Sequence, residues 1–239
     1  MKELANIGIV CGGVLPYLPQ YIYIFKSGDA SGFSSVVCLL LLVANTTRIC
    51  FYFRQPFETS LLLQSIVMII AQLKMLEIVV RKGRKQDKLV RIYQCRGFWK
   101  WTSYVDYLIA YLLLSLVQII LTLLFPNSYS YTQLIGVFAL GIEASLGLPQ
   151  LHKNYKRKAT AGVSYAMVFG WTIGDVFKTV YAVQTLSPLQ FLLCGAMQIA
   201  VDVGLMYQVV YYFPKQKTRK VHVRYAQLGK PQTRRSSIL

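Results

Sequence analysis

Charge is scarce in this chain, and what there is leans one way. Only 15% of its 239 residues are charged, against about 25% in an ordinary soluble domain. Nine residues are acidic, against 26 Lys and Arg. The two histidines and five cysteines form no spaced cluster, so no metal site is indicated. A nucleophile motif and a phosphate-binding loop are also missing, and no cofactor is implied. These absences argue against a soluble enzyme. The net charge of +17 would suit a nucleic-acid binder. However, the basic residues sit in short runs between long apolar stretches, which excludes nucleic acid as a partner.

Apolar residues fill the space that charge leaves, at 55% of the chain. They fall into seven segments: Leu4–Phe25, Phe33–Phe53, Phe57–Val80, Tyr104–Phe125, Tyr131–Leu151, Val163–Gln184 and Pro188–Phe213. Each supplies the ~20 residues that a helix needs to cross a ~30 Å hydrocarbon core. Backbone polar groups in that core must be satisfied within the segment, so the spans are helices. The first contains Pro16 and Pro19 and is too long for a signal peptide, so it reads as a retained span. The fold expected is therefore an all-α membrane protein with seven transmembrane helices.

Orientation follows from the basic residues. With the N-terminus lumenal and the C-terminus cytosolic, 21 of the 26 Lys and Arg fall in cytosolic regions. Lys2 and Arg54 are the only basic residues outside the spans on the other side. Segment 82–101 places Leu89, Ile92, Tyr93 and Trp99 at helical spacing among basic residues. It reads either as an amphipathic helix on the cytosolic surface, with Trp99 and Trp101 at headgroup level, or as an ordinary basic loop. The tail after residue 213 is basic and expected to be disordered.

A shift of 130 residues aligns the two halves without a gap. Leu18-Pro19-Gln20 falls on Leu148-Pro149-Gln150, Lys26 on Lys156, Gly32 on Gly162 and Ser34 on Ser164. Asn45 falls on Asp175, Arg48 on Lys178 and Gln72 on Asp202. Polar positions that match inside two hydrophobic triplets mark a repeat. The organisation expected is a first three-helix repeat over 1–80, a cytosolic segment and linker helix over 81–130, a second repeat over 131–213, and a tail over 214–239. An odd linker leaves the two repeats parallel, and substrate paths lie at such interfaces.

The doubled Pro-Gln, each followed by a short loop ending in Gly-x-Ser, resembles the PQ-loop family. That family includes exporters of cystine and of cationic amino acids, and it shares its architecture with sugar-transporting SWEET proteins and KDEL receptors. The runs Gly12 to Gln20, Leu42 to Asn45, Gly174 to Thr179 and Pro188 to Phe191 resemble a branch associated with phospholipid translocation in endosomes and the trans-Golgi network. The resemblance implies membrane phospholipids as cargo, with energy-independent scrambling. The alternatives are a proton-coupled carrier of a small solute such as an amino acid, and a trafficking receptor. Cystine-exporting members carry an acid in the sixth span where this chain has Trp171, which sets a cystine mechanism aside. Asp175 lies one turn further on.

Two sets of residues carry the chemistry. Pro19, Gln20, Pro149 and Gln150 mark bends, because proline inside a helix removes a hydrogen bond. Such bends serve either as hinges or as static shaping. Asn45, Arg48, Glu143, Asp175, Lys178 and Asp202 lie inside the spans, where each ionised group costs at least ~2.5 kcal/mol. Facing inward they form either a polar translocation path between the repeats or ion pairs that hold the bundle. An ammonium group would meet Glu143, Asp175 or Asp202, and a phosphate would meet Arg48 or Lys178.

In the tail, Tyr225 and Leu228 fit a tyrosine-based sorting signal for adaptor proteins. Tyr225→Ala is expected to move the protein from endosomes toward the cell surface and to leave reconstituted activity intact. Unchanged location with reduced activity would refute the assignment.

Overall fold

The computed structural model describes residues 2–28, 30, 33–86, 98–99, 101, 103–158, 160 and 165–228. Among them are nine α-helices and no strand. These are α1 (Lys2–Gly12), α2 (Leu18–Ser27), α3 (Ser35–Arg54), α4 (Thr59–Gln86), α5 (Tyr104–Leu124), α6 (Tyr129–Ser145), α7 (Leu148–Arg157), α8 (Tyr165–Gln184) and α9 (Leu189–Leu228). A single 3-10 turn, Leu15–Tyr17, joins α1 to α2.

Six helical stretches are long and apolar enough to cross a membrane, running from Asn6–Ser27 to Leu189–Tyr212. Helix α8 has the length, at 20 residues, but its mean hydropathy falls short because it carries Asp175 and Lys178. The protein is a multi-pass membrane protein, arranged as three spans, one linker and three spans.

The repeat seen in the residues is also present in the helix boundaries. Helices α2, α3 and α4 begin at Leu18, Ser35 and Thr59, and α7, α8 and α9 begin 130 residues later at Leu148, Tyr165 and Leu189. Both α2 and α7 end on a left-handed residue at equivalent positions, Gly28 with φ 73° and Lys158 with φ 49°. Glycine adopts this conformation freely, whereas an L side chain pays roughly 1–2 kcal/mol.

The proline bends differ from the expected kinks in a continuous helix. The regular α-helical ladder is interrupted by a turn before each motif, at Gly13–Val14 and at Leu146–Gly147, while Val14, Leu146 and Gly147 keep right-handed helical dihedrals. Pro19 and Pro149 then fall in the first turn of α2 and α7, where an N–H has no helical partner in any case. In the first and fifth spans the interruption therefore precedes the proline, which itself takes a first-turn position.

Two features go beyond the expectations. Trp99 is 1% exposed, packed inside the protein. Its indole Nε1 donates to the Ser35 carbonyl at 2.8 Å, and its ring packs edge-on against Tyr107. It thereby ties the linker to the start of α3. The tail is helical through Leu228, because α9 runs for 40 residues. At 1.5 Å per residue that is about 60 Å, so α9 outlasts the bilayer core and carries the backbone of Tyr225 and Leu228. Helix α4 takes in the first five residues of the basic segment, and 87–97 lie outside the described residues.

The left-handed Lys158 generates a prediction. Lys158→Gly should raise stability by about 1 kcal/mol by removing the Cβ penalty, measured by unfolding in detergent. A loss of stability would show that the side chain over Tyr155 outweighs the strain.

Candidate translocation site

Four of the six intramembrane polar residues converge on one cavity. It measures about 310 Å³ and is lined by Glu143 from α6, Asp175 and Lys178 from α8 and Asp202 from α9. Repeat 1 contributes Gly8, Gly12 and Tyr17, and Gln64 from α4. The cavity thus lies between the repeats. Arg48 and Asn45 stand behind this lining, fully buried on α3. Asn45 turns its amide back onto the Leu41 carbonyl at 2.8 Å.

Glu143 organises the cations. It pairs with Arg48 through Oε2 and accepts from Lys178 Nζ at 2.9 Å through Oε1. One carboxylate therefore joins α3, α6 and α8. Arg48 is 0% exposed, and its Nε and Nη1 find no acceptor among the described residues. A charge this deep persists only when paired.

The remaining acids are arranged differently. Asp175 lies against Asp202 and Gln198 across the α8–α9 contact. Among the described residues neither Asp175 nor Asp202 forms an ion pair. Asp202 is 5% exposed, and its Oδ2 has no partner among the described residues. Glu143 occupies both cations, and Asp175 and Asp202 face the cavity as a contacting pair of carboxyls. Trp171 also lines it and supplies an aromatic surface for a cation.

Of the bend residues, Gln150 lines the cavity and donates to Asn154 Oδ1 at 2.8 Å. Pro19, Gln20 and Pro149 do not line it.

Sequence reasoning missed the boundary of the site. Helix α3 packs along α6, but the pseudo-equivalent contact between α8 and α1 is sparse. Tyr181 OH donates to Asn6 Oδ1 at 2.7 Å and Phe177 approaches Gly8, which holds one end. The Leu15–Tyr17 turn touches α8 at the other. Between these points, a Cβ on Gly12, Gly170 or Gly174 would meet nothing within 4 Å. A window bordered by glycine backbones results. Gly8, Gly12, Gly170 and Gly174 recur at four-residue spacing on their two helices, and that spacing was the available signal.

Two parallel repeats around a polar intramembrane cavity define a membrane transport protein. The PQ loop repeat model matches residues 3–61 and 131–191, and the chain belongs to that family. The chain is 24% identical to the Scramblase ANY1 of Saccharomyces cerevisiae, over 90% of this chain and 72% of that protein. It is 26% identical to the Vacuolar histidine transporter YPQ3 of the same yeast, over 38% of this chain and 31% of that one. A eukaryotic SWEET transporter shares the fold with a TM-score of 0.60, at 11% identity, over 89% of this chain and 98% of its own. These relatives are a scramblase and transporters.

The shared carboxylate generates the test. Glu143→Gln should cost about 3–5 kcal/mol, because it leaves Arg48 and Lys178 unpaired in the membrane. Unfolding in detergent measures this, and a loss below about 1 kcal/mol would mean that the pairs are dispensable.

Proposed function

We propose that the chain scrambles phospholipids without an energy source, in endosomal and trans-Golgi membranes, with its N-terminus lumenal and its C-terminus cytosolic. The observation that carries this is the window between α1 and α8. A carrier of small solutes works from an occluded site, whereas a lipid needs a path open to the bilayer along its length. The window joins a polar cavity to a face where Gly170, Gly174 and Phe177 are exposed. The headgroup travels in the cavity while the acyl chains trail through the window into lipid. Similarity to a scramblase over 90% of the chain supports the same reading.

Chemistry assigns the ends of the headgroup. Its ammonium meets the contacting carboxyls of Asp175 and Asp202, with Trp171 beside them. Its phosphate passes Lys178, whose ammonium is held at the cavity wall by Glu143. Arg48 stays behind the wall and sets the position of Glu143. The breaks before Pro19 and Pro149 act as the hinges that widen the path.

Purified protein in liposomes with fluorescent lipids, exposed to a membrane-impermeant quencher, tests the proposal. Inner-leaflet probe should become accessible without ATP or a pH gradient. Asp175→Asn with Lys178→Gln should slow this by about tenfold, the effect of ~1.4 kcal/mol on a barrier, in protein that still folds. Protected inner-leaflet probe, together with amino-acid uptake driven by a proton gradient, would replace scrambling with solute transport.

A further inference from the structure

At the end of the bundle opposite the Pro-Gln turns lies a second cleft, of about 320 Å³. It is lined by Arg54 and Gln55 at the end of α3, by Asn127 and Ser128 before α6, and by Tyr129, Thr132 and Gln133 in the first turns of α6. Its lining holds no acid and no aliphatic residue. Arg54 and Lys2 are the only basic residues outside the spans on this side of the membrane.

Arg54 is held in place without being neutralised. Its Nη2 donates to the Phe125 carbonyl at 2.9 Å, which fixes the guanidinium between the α3 and α5 ends. Among the described residues it forms no ion pair, even though Glu58 follows one turn of chain later. Its Nε is buried and has no acceptor. The half-buried side chain as a whole lines the cleft, so an anion there would gain charge-assisted hydrogen bonds from the guanidinium.

The rest of the lining adds donors. Ser128 caps α6 by accepting from Tyr131 N at 3.2 Å, and the first intrahelical bond is Thr132 N to the Ser128 carbonyl. The N–H groups of Tyr129 and Ser130 precede it and have no helical acceptor. The positive end of a 17-residue helix thus opens onto the cleft beside Arg54. Gln133 accepts from Gln190 through its Oε1, which leaves its own amide N–H groups as donors. Around the rim, Phe53, Leu123, Leu124, Phe125 and Tyr129 are exposed, as hydrocarbon-facing residues are at a membrane interface.

We propose that this cleft is a binding site for a phosphate group, separate from the central cavity and facing the leaflet opposite the Pro-Gln turns. Arg54 supplies the charge, and the α6 N-terminus and Gln133 supply neutral donors. The phosphate comes either from a phospholipid headgroup, with its acyl chains on the exposed rim, or from a free phosphate compound in the aqueous phase.

The full chain purified in a neutral detergent separates these sources. Three probes are titrated: dihexanoyl phosphatidic acid, inorganic phosphate and dihexanoylglycerol. The cytosolic basic segments also attract anions, so the quantity read is the binding that two substitutions remove. Arg54→Gln takes away the charge. Ser128→Asp keeps a good N-cap and places a negative charge in the cleft, and so serves where Arg54→Gln fails to fold. Each should weaken the phosphate-bearing probe by about tenfold, the loss of one charge-assisted contact, while dihexanoylglycerol stays unbound. Phosphatidic acid binding more tightly than phosphate assigns the site to lipid, and equal binding assigns it to a soluble phosphate compound. Affinities that neither substitution changes, or no binding of either phosphate probe, would overturn the proposal.

Discussion

One carboxylate inside the membrane holds this architecture together. Glu143 takes Lys178 at 2.9 Å and Arg48 from the opposite side, and so binds the first repeat to the second. Two buried cations around one acid leave no mobile positive charge in the cavity. The acids left over, Asp175 and Asp202, set the character of the space that a headgroup would enter. Removing Glu143 would do more than break a contact, because it would strand two charges where water does not reach.

The two repeats share a backbone but not a chemistry. Asn45 and Gln72 stand where the second repeat has Asp175 and Asp202. Gln72 is 0% exposed, and among the described residues both its amide atoms lack a partner, as does Oδ1 of Asn45. A neutral amide pair is the cheaper element to bury, and it lies on the side that is closely packed. The acids lie on the side that is open. Packing follows the same division: α3 and α6 are sealed together around Phe51 and Gly136, where a Cβ would come within 2.9 Å of the ring. Their counterparts α8 and α1 leave a glycine-edged window.

Much of this could be read from the residues. The 130-residue shift that aligns the two halves also relates the helix starts at Leu18, Ser35 and Thr59 to those at Leu148, Tyr165 and Leu189. Four of six polar residues chosen for lying inside apolar spans line one cavity, since an ionisable group in hydrocarbon must face a polar interior. What was not legible depends on packing between distant segments. The burial of Trp99 rests on Ser35, 64 residues away. The pairing of Glu143 with both cations is a matter of distance, which spacing along a helix does not specify. The window was hidden because glycine gives no apolar or polar signal of its own. The helical tail was missed because its basic composition said nothing about α9 continuing past Pro214.

The window is the centre of the functional account, and it can be closed without disturbing the fold. Gly12, the last residue of α1, and Gly174, inside α8, have open space at Cβ, and replacing the interior glycine favours the helix. Gly12→Phe with Gly174→Phe fills the gap between α1 and α8 and leaves Glu143, Asp175 and Asp202 untouched. Lipid scrambling by this variant in liposomes is the most direct measurement. The account predicts a stably folded protein in which scrambling is lost. Scrambling at the unmodified rate with the window filled would contradict it.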